Sequence, residues 1–157
     1  MLVIADSSAL IALSIAHSLE ILVKLYKKII VPVAVYTEVS QFEKEQSLTL
    51  SKFLKNKVVT TDLSQFILNV GGLGQGELEA MALYKNQNAD LLLIDDRRAR
   101  LIAEHNDINC TGSLGVLLHA KDKGIINKIK PAVTRLKRSE IYYSSELLQT
   151  VLKLANE

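Results

Sequence analysis

The sequence predicts an α/β fold, a three-layer α/β/α sandwich around a mainly parallel central sheet of about five strands, with further helices at the C-terminal end. Three observations predict it. Short segments near residues 2–5, 29–31, 58–60, 91–94 and 108–110 are nearly all apolar, as strands covered on both faces of a parallel sheet must be. Helical patterns separate them, and that alternation implies crossover connections. A chain of 157 residues, 48% hydrophobic and 23% charged, is long and apolar enough to bury a real core.

Taken in order, the first strand (LVIA) runs into Asp6 and a helix to about residue 16 that Ser7 or Ser8 can cap. After the second strand, Pro32 stands at a helix start, where its missing N–H is harmless. The glycine-rich loop 71–76 (GGLGQG) opens a helix through Tyr84. It follows no strand and has no P-loop lysine, so it reads as a hinge rather than a nucleotide cradle. Asp95 or Asp96 caps a helix through Glu104 after the fourth strand. Beyond Thr111 the pattern is helical: 114–121, roughly 126–136, and 145–154. With no linker, repeat or low-complexity segment, residues 1–157 read as a single domain, its core at about 1–120 and a helical extension at about 121–157.

Charge and composition exclude several classes. A net charge of +2 does not by itself announce a nucleic-acid partner. Locally, residues 121–138 hold seven basic residues and one acid, Asp122; Lys128, Lys130 and Arg135 in that stretch are either a solvated face or a phosphate-attracting surface. The lone Cys110 rules out an internal disulfide and a cysteine-based zinc site. There is no run of about 18 apolar residues and no basic leader, so the expectation is a cytoplasmic protein without a membrane span.

The carboxylates point to chemistry. Parallel strands put their C-terminal ends at one edge, where open α/β sheets keep their sites. Asp6 follows the first strand, Asp95 and Asp96 the fourth, and Thr111 and Ser113 the fifth. Helical phase places Glu38 beside Ala34, Val35 and Phe42, and Glu77 beside Met81 and Tyr84, while Glu79 points away. Asp95 lines up with the inward Ala99 and Ile102. Each acid alone has a plain alternative: a cap for Asp6 or Asp95, a dipole contact for Glu77, a side chain reaching solvent for Glu38. Together, acids from distant positions at one sheet edge would repel without a cation. Oxygen-only donors suit Mg²⁺ or Mn²⁺, as one or two ions, and such sites commonly serve phosphate chemistry.

The stretches DSSALIAL (6–13), VPVAVYTEV (31–39), LGQGELEAMAL (73–83), LLLIDDRRARLIA (91–103) and TGSLGVLLHAKDKG (111–124), in this order and spacing, resemble the PIN domain family. The likeness is to its small prokaryotic single-domain branch, which includes VapC-like toxin ribonucleases. The resemblance implies that Asp6, Glu38, Glu77 and Asp95 or Asp96 are the catalytic, metal-binding acids. It also implies that the hydroxyls of Ser7, Thr111 and Ser113 orient them. It further implies hydrolysis of single-stranded RNA, a small cognate antitoxin, and a homodimer. Arg97 and Arg98 are then candidates for rim contacts to RNA phosphates, with Lys128, Lys130 and Arg135 further along. Two departures stand out: Glu77 where many relatives carry Asp, and Ile94-Asp95-Asp96 where the family pattern is T-x-D. The rival reading is a PIN-like scaffold that binds nucleic acid or a partner without cutting.

Overall fold

The structure, a computed structural model, describes residues 1–41, 45–64 and 72–157. Its elements run β1 (Leu2–Ala5), α1 (Ser7–Ile15), α2 (Leu19–Leu25), β2 (Lys28–Pro32), α3 (Val33–Val39), α4 (Ser47–Leu54), β3 (Val58–Val59), α5 (Gln75–Asn86), β4 (Leu91–Leu93), α6 (Arg97–His105), β5 (Cys110–Thr111), α7 (Ser113–Asp122), α8 (Lys130–Arg138) and α9 (Ser145–Leu154). The strands form one sheet in the order β3-β2-β1-β4-β5, and every pairing is parallel. Ile4 sits opposite Ile30 on one side and Leu92 on the other.

Strand alternation divides the core into two layers. Val3, Ala5, Ile29, Val31 and Leu93 face a cluster built with α1, α2, α3, α7, α8 and α9. Ile4, Ile30, Leu92 and Ile94 face the other way, against α5 and α6. Each fully buried Leu or Ile here contributes about 1.5–3 kcal/mol of transfer free energy, which is why all-apolar strands settle in the middle layer. Among the described residues no single helix is long and apolar enough to cross a membrane.

Several local expectations are corrected. Asp6, not Ser7 or Ser8, caps α1: its Oδ2 accepts the Ser8 N–H at 3.1 Å. Pro32 is the N-cap of α3 rather than its first residue. Two helices appear that periodicity did not single out, α2 and α4. Both are short, and both are held by burial (Leu19, Ile21 and Leu22; Leu50 and Leu54) where propensity alone would not fold them. The helix expected over 126–136 starts instead at Lys130, because the Glu157 carboxylate accepts the backbone N–H of Ile129 at 2.7 Å and of Lys130 at 2.9 Å. Lys121 closes this lock on the same carboxylate at 2.7 Å. Phe42 and Gly71, used in the sequence argument, lie outside the described residues.

Candidate active site

From β1 the chain order steps outward through β2 to β3 on one side and through β4 to β5 on the other, so the C-terminal ends of β1 and β4 flank the switch point of the sheet. Ligands of open α/β folds bind in that crevice. Asp6 is fixed there by its own N–H, which donates to Leu93 O at 2.8 Å. The crevice is a cleft of about 820 Å³ whose walls include Asp6, Ser7, Ser8, Ile11, Glu38, Gly76, Glu77 and Asp96.

Asp6 is the buried member, 1% exposed. Its Oδ2 accepts both the Ser8 N–H and, at 2.6 Å, the Ser8 hydroxyl. Its Oδ1 is buried and has no hydrogen-bond partner among the described residues. Gly76 shows what that oxygen faces: a Cβ at this position would stand 3.0 Å from Glu38 Oε2 and 3.9 Å from Asp6 Oδ1. A Cβ here would be in ordinary contact with Asp6 and would press on Glu38 Oε2, so glycine gives α5 its closest fit against the two carboxylates.

The acids feel one another. Burial raises the Asp6 carboxyl above the usual range; the Ser8 hydroxyl and the Ser8 and Ser7 N–H groups oppose this, and the Glu38 charge adds to it. Burial also raises Glu77, opposed by the Gly74 N–H and reinforced by the charges of Asp6, Asp96 and Glu38. Four of the five expected acids therefore share one cleft.

Asp95 is the exception. Its Oδ1 accepts the Ser113 N–H at 2.6 Å, and its Oδ2 accepts the Ser113 hydroxyl at 2.6 Å and the Tyr143 hydroxyl at 2.7 Å. Burial and the adjacent Asp95 push the Tyr143 phenol well above its ordinary value, so it stays a donor. Gly112 makes the clamp possible, since a Cβ there would lie 2.6 Å from Asp95 Oδ1. Asp96 caps α6, its Oδ1 accepting the Ala99 N–H at 2.8 Å, and it is exposed to the cleft. Helical phase did mark Asp95 as the inward residue, but inward means toward α7 and Tyr143, not toward Asp6.

The remaining expectations fall as follows. Ser113 serves Asp95, while Thr111 is the last residue of β5 with its hydroxyl against Gly115, not against the acids. Arg97 and Arg98 are exposed at the start of α6, and the Arg98 guanidinium lies over Gly72. Lys128, Lys130 and Arg135 lie in and just before α8, well away from the cleft. Arg100 pairs with Glu104 at 3.4 Å. Cys110 is half-buried, its thiol pushed up to about 11 mainly by that burial, as suits an inert packing residue. Sequence reasoning missed Ser8, Tyr143 and Glu79. Glu79 does not point away: its Oε2 accepts the Ala34 N–H at 3.0 Å and so ties α5 to the first turn of α3, the helix that carries Glu38.

The residues suit a divalent cation in one respect that geometry makes explicit: an orphaned, buried carboxylate oxygen of Asp6 beside the Glu38 carboxylate. Asp6, Glu38, Glu77 and Asp96 offer oxygen donors only, the set preferred by Mg²⁺ and Mn²⁺. As the side chains stand, no group of three or more acids, histidines or cysteines among the described residues is close enough to hold one ion. Glu77 Oε2 is turned to the Gly74 N–H at 2.8 Å and Asp96 Oδ1 to its own helix.

An all-parallel sheet with an acidic cleft at its switch point defines a class, the doubly wound α/β domains. Within that class, the chain belongs to the PIN domain family: the DUF3368 family model, described as a PIN domain, matches residues 2–157. The match runs through the C-terminal helices as well as the sheet. No curated protein and no solved structure matches the chain. PIN domains are usually nucleases and typically use divalent metals.

Proposed function

We propose that this protein is a Mg²⁺- or Mn²⁺-dependent endoribonuclease that hydrolyses single-stranded RNA. The observation that carries the reading is the unpartnered, buried Oδ1 of Asp6 facing Glu38 across Gly76. Folding leaves such an oxygen without a partner at a cost, and a cation removes that cost. Asp6, Glu38, Glu77 and Asp96 would hold the metal, which supplies charge neutralisation and an activated water for in-line displacement at phosphorus. Ser8 fixes the Asp6 carboxylate, and Glu79 holds the start of α3 so that Glu38 reaches the cleft. The reading carries over the family expectations of a toxin role, a cognate inhibitory protein, a homodimer and a cytoplasmic setting.

One observation favours the rival reading of a scaffold that binds without cutting, namely that Glu77 and Asp96 as placed serve their own helices. The two separate cleanly. Incubating the full chain with labelled single-stranded RNA and Mg²⁺ or Mn²⁺ is expected to give chelator-sensitive cleavage that Asp6→Asn and Glu38→Gln abolish. Binding without metal-dependent turnover across varied RNA sequences would establish the scaffold instead.

A further inference from the structure

The carboxylate cleft continues beyond its acids. Ile11, part of its wall, also lines a second cleft of about 880 Å³ together with His17, Arg135 and Arg138. Arg135 and Arg138 in turn line a third, of about 490 Å³, with Lys128 and Lys130. Through these shared residues the three clefts adjoin in series along α1, from Asp6 at its N-cap to Ala16 at its C-cap, where Arg135 Nη1 donates to Ala16 O at 3.4 Å. At the helical rise, the ten steps from Asp6 to Ala16 span ~15 Å.

Charge changes sign along the way. One end holds the acids. The far cleft holds four cations, Lys128, Lys130, Arg135 and Arg138, and no acid. All four are exposed, and none has a salt bridge among the described residues. Four like charges around one small cleft repel, and a polyanion relieves this. Between the ends the surface is mixed: Ile11, Ile15, Val39 and Ile141 are apolar, with Glu45 and Glu140 beside them. Apolar walls that lead from the acids to phosphate-binding cations suit an unpaired strand, because its bases stack while its backbone seeks charge. An acidic peptide would satisfy the cations but has no bases to lay against Ile11, Ile15 and Ile141.

We propose that this depression is the path of single-stranded RNA away from the carboxylate cleft, with Lys128, Lys130, Arg135 and Arg138 gripping its phosphates and His17 offering a stacking face. The proposal rests on the nuclease reading and deepens it: substrate length becomes a determinant, since RNA too short to reach α8 forgoes the grip. Arg138 and His17 join the surface that charge patterning alone had suggested.

The test uses the full chain and its Lys128→Ala/Lys130→Ala/Arg138→Ala variant, with an oligouridylate long enough to span the path and a trinucleotide as probes. Arg135 is spared because it also holds Ala16. Each phosphate contact to a single strand contributes about 0.7 to the slope of log K against log salt, so losing three lowers the slope by about 2. In chelator the variant is expected to show that smaller slope on the long probe. With metal, its kcat/KM on the long probe is expected to fall about tenfold or more, while trinucleotide cleavage is unchanged. An unchanged slope and an unchanged long-to-short ratio, with cleavage intact, would overturn the path. Equal losses on both probes would also overturn it, by showing a defect of the fold, as would tighter binding of polyglutamate than of oligouridylate. Wild-type protein that shows the predicted slope difference yet cleaves nothing supports the path and sinks the nuclease reading.

Discussion

Replacing Asp6 by asparagine is expected to make the metal-free protein more stable, although it destroys the site. Asp6 is 1% exposed. Its Oδ2 is satisfied twice by Ser8, while Oδ1 has no partner and faces the Glu38 carboxylate across Gly76. Asparagine has the same shape. Its oxygen can keep both Ser8 bonds, and its amide then puts a donor where the orphaned acceptor met a negative charge. An unsatisfied buried acceptor costs about 1–3 kcal/mol. Relieving most of that gives about 1–2 kcal/mol, a rise in Tm of roughly 2–8 °C for a domain of this size.

Metal reverses the order. Binding to the native state alone adds RT ln(1 + [L]/Kd), about 2.7 kcal/mol at a hundredfold excess over Kd, and only the wild type gains it. The pH dependence has a fixed sign as well. A carboxyl raised by burial, as Asp6 is, contributes stability that is full below its unfolded value of 3.8 and is lost as pH rises through its folded value. The advantage of Asp6→Asn in chelator therefore grows from acid to neutral pH. Thermal unfolding followed by circular dichroism, in chelator and in Mn²⁺, measures all three effects. A variant that melts below the wild type in chelator, or an advantage that shrinks toward neutral pH, would refute the reasoning.

Two further predictions concern the C-terminal region. Tyr143→Phe removes one half-buried bond to Asp95 and is expected to cost about 0.5–1.5 kcal/mol. Gly112→Ala, whose Cβ would stand 2.6 Å from Asp95 Oδ1, is expected to cost about 1–3 kcal/mol; urea midpoints at constant m-value check both. At Glu157 burial disfavours ionisation, but the bonds from Lys121, Ile129 and Lys130 outweigh it and hold the carboxyl down at about 2. Its contribution is therefore present above the unfolded value of 4.5 and lost as pH falls toward 2. Glu157→Gln is expected to lower the melting temperature at neutral pH, with the difference closing as pH falls through that window; a constant difference would show that the charge is irrelevant to the lock.

What was legible in the sequence is what is encoded locally. Each strand carries its own all-apolar run, and each acid of the cleft sits at a strand end or on a helix face whose phase can be counted, so Asp6, Glu38, Glu77 and Asp96 are legible, whereas the phase that favours Asp95 points it to α7. What was not legible depends on partners far along the chain. Tyr143 reaches Asp95 across 48 positions, and Glu157 caps α8 from 28 positions beyond Ile129. Helical phase within α5 alone puts Glu79 on the outward face. Its partner is the N-terminus of α3, and no periodicity within α5 encodes that.

The doubled aspartate follows from the same division between local and distant. Neither Asp95 nor Asp96 is within the helix that follows them, so adjacent side chains there need not share a face. Asp95 is drawn back by Ser113 and Tyr143, which occupy its oxygens with three hydrogen bonds and fix the turn after β4. That turn then acts on the cleft through its backbone: the Asp95 N–H donates to Ser8 Oγ at 3.0 Å, leaving the hydroxyl proton of Ser8 for Asp6 Oδ2 at 2.6 Å. Asp96, one residue on, is released to face the cleft with its side chain. Two like charges are tolerated side by side because one is spent on structure. The structural one still reaches the chemistry, since the same turn that hides Asp95 holds Asp6 in place.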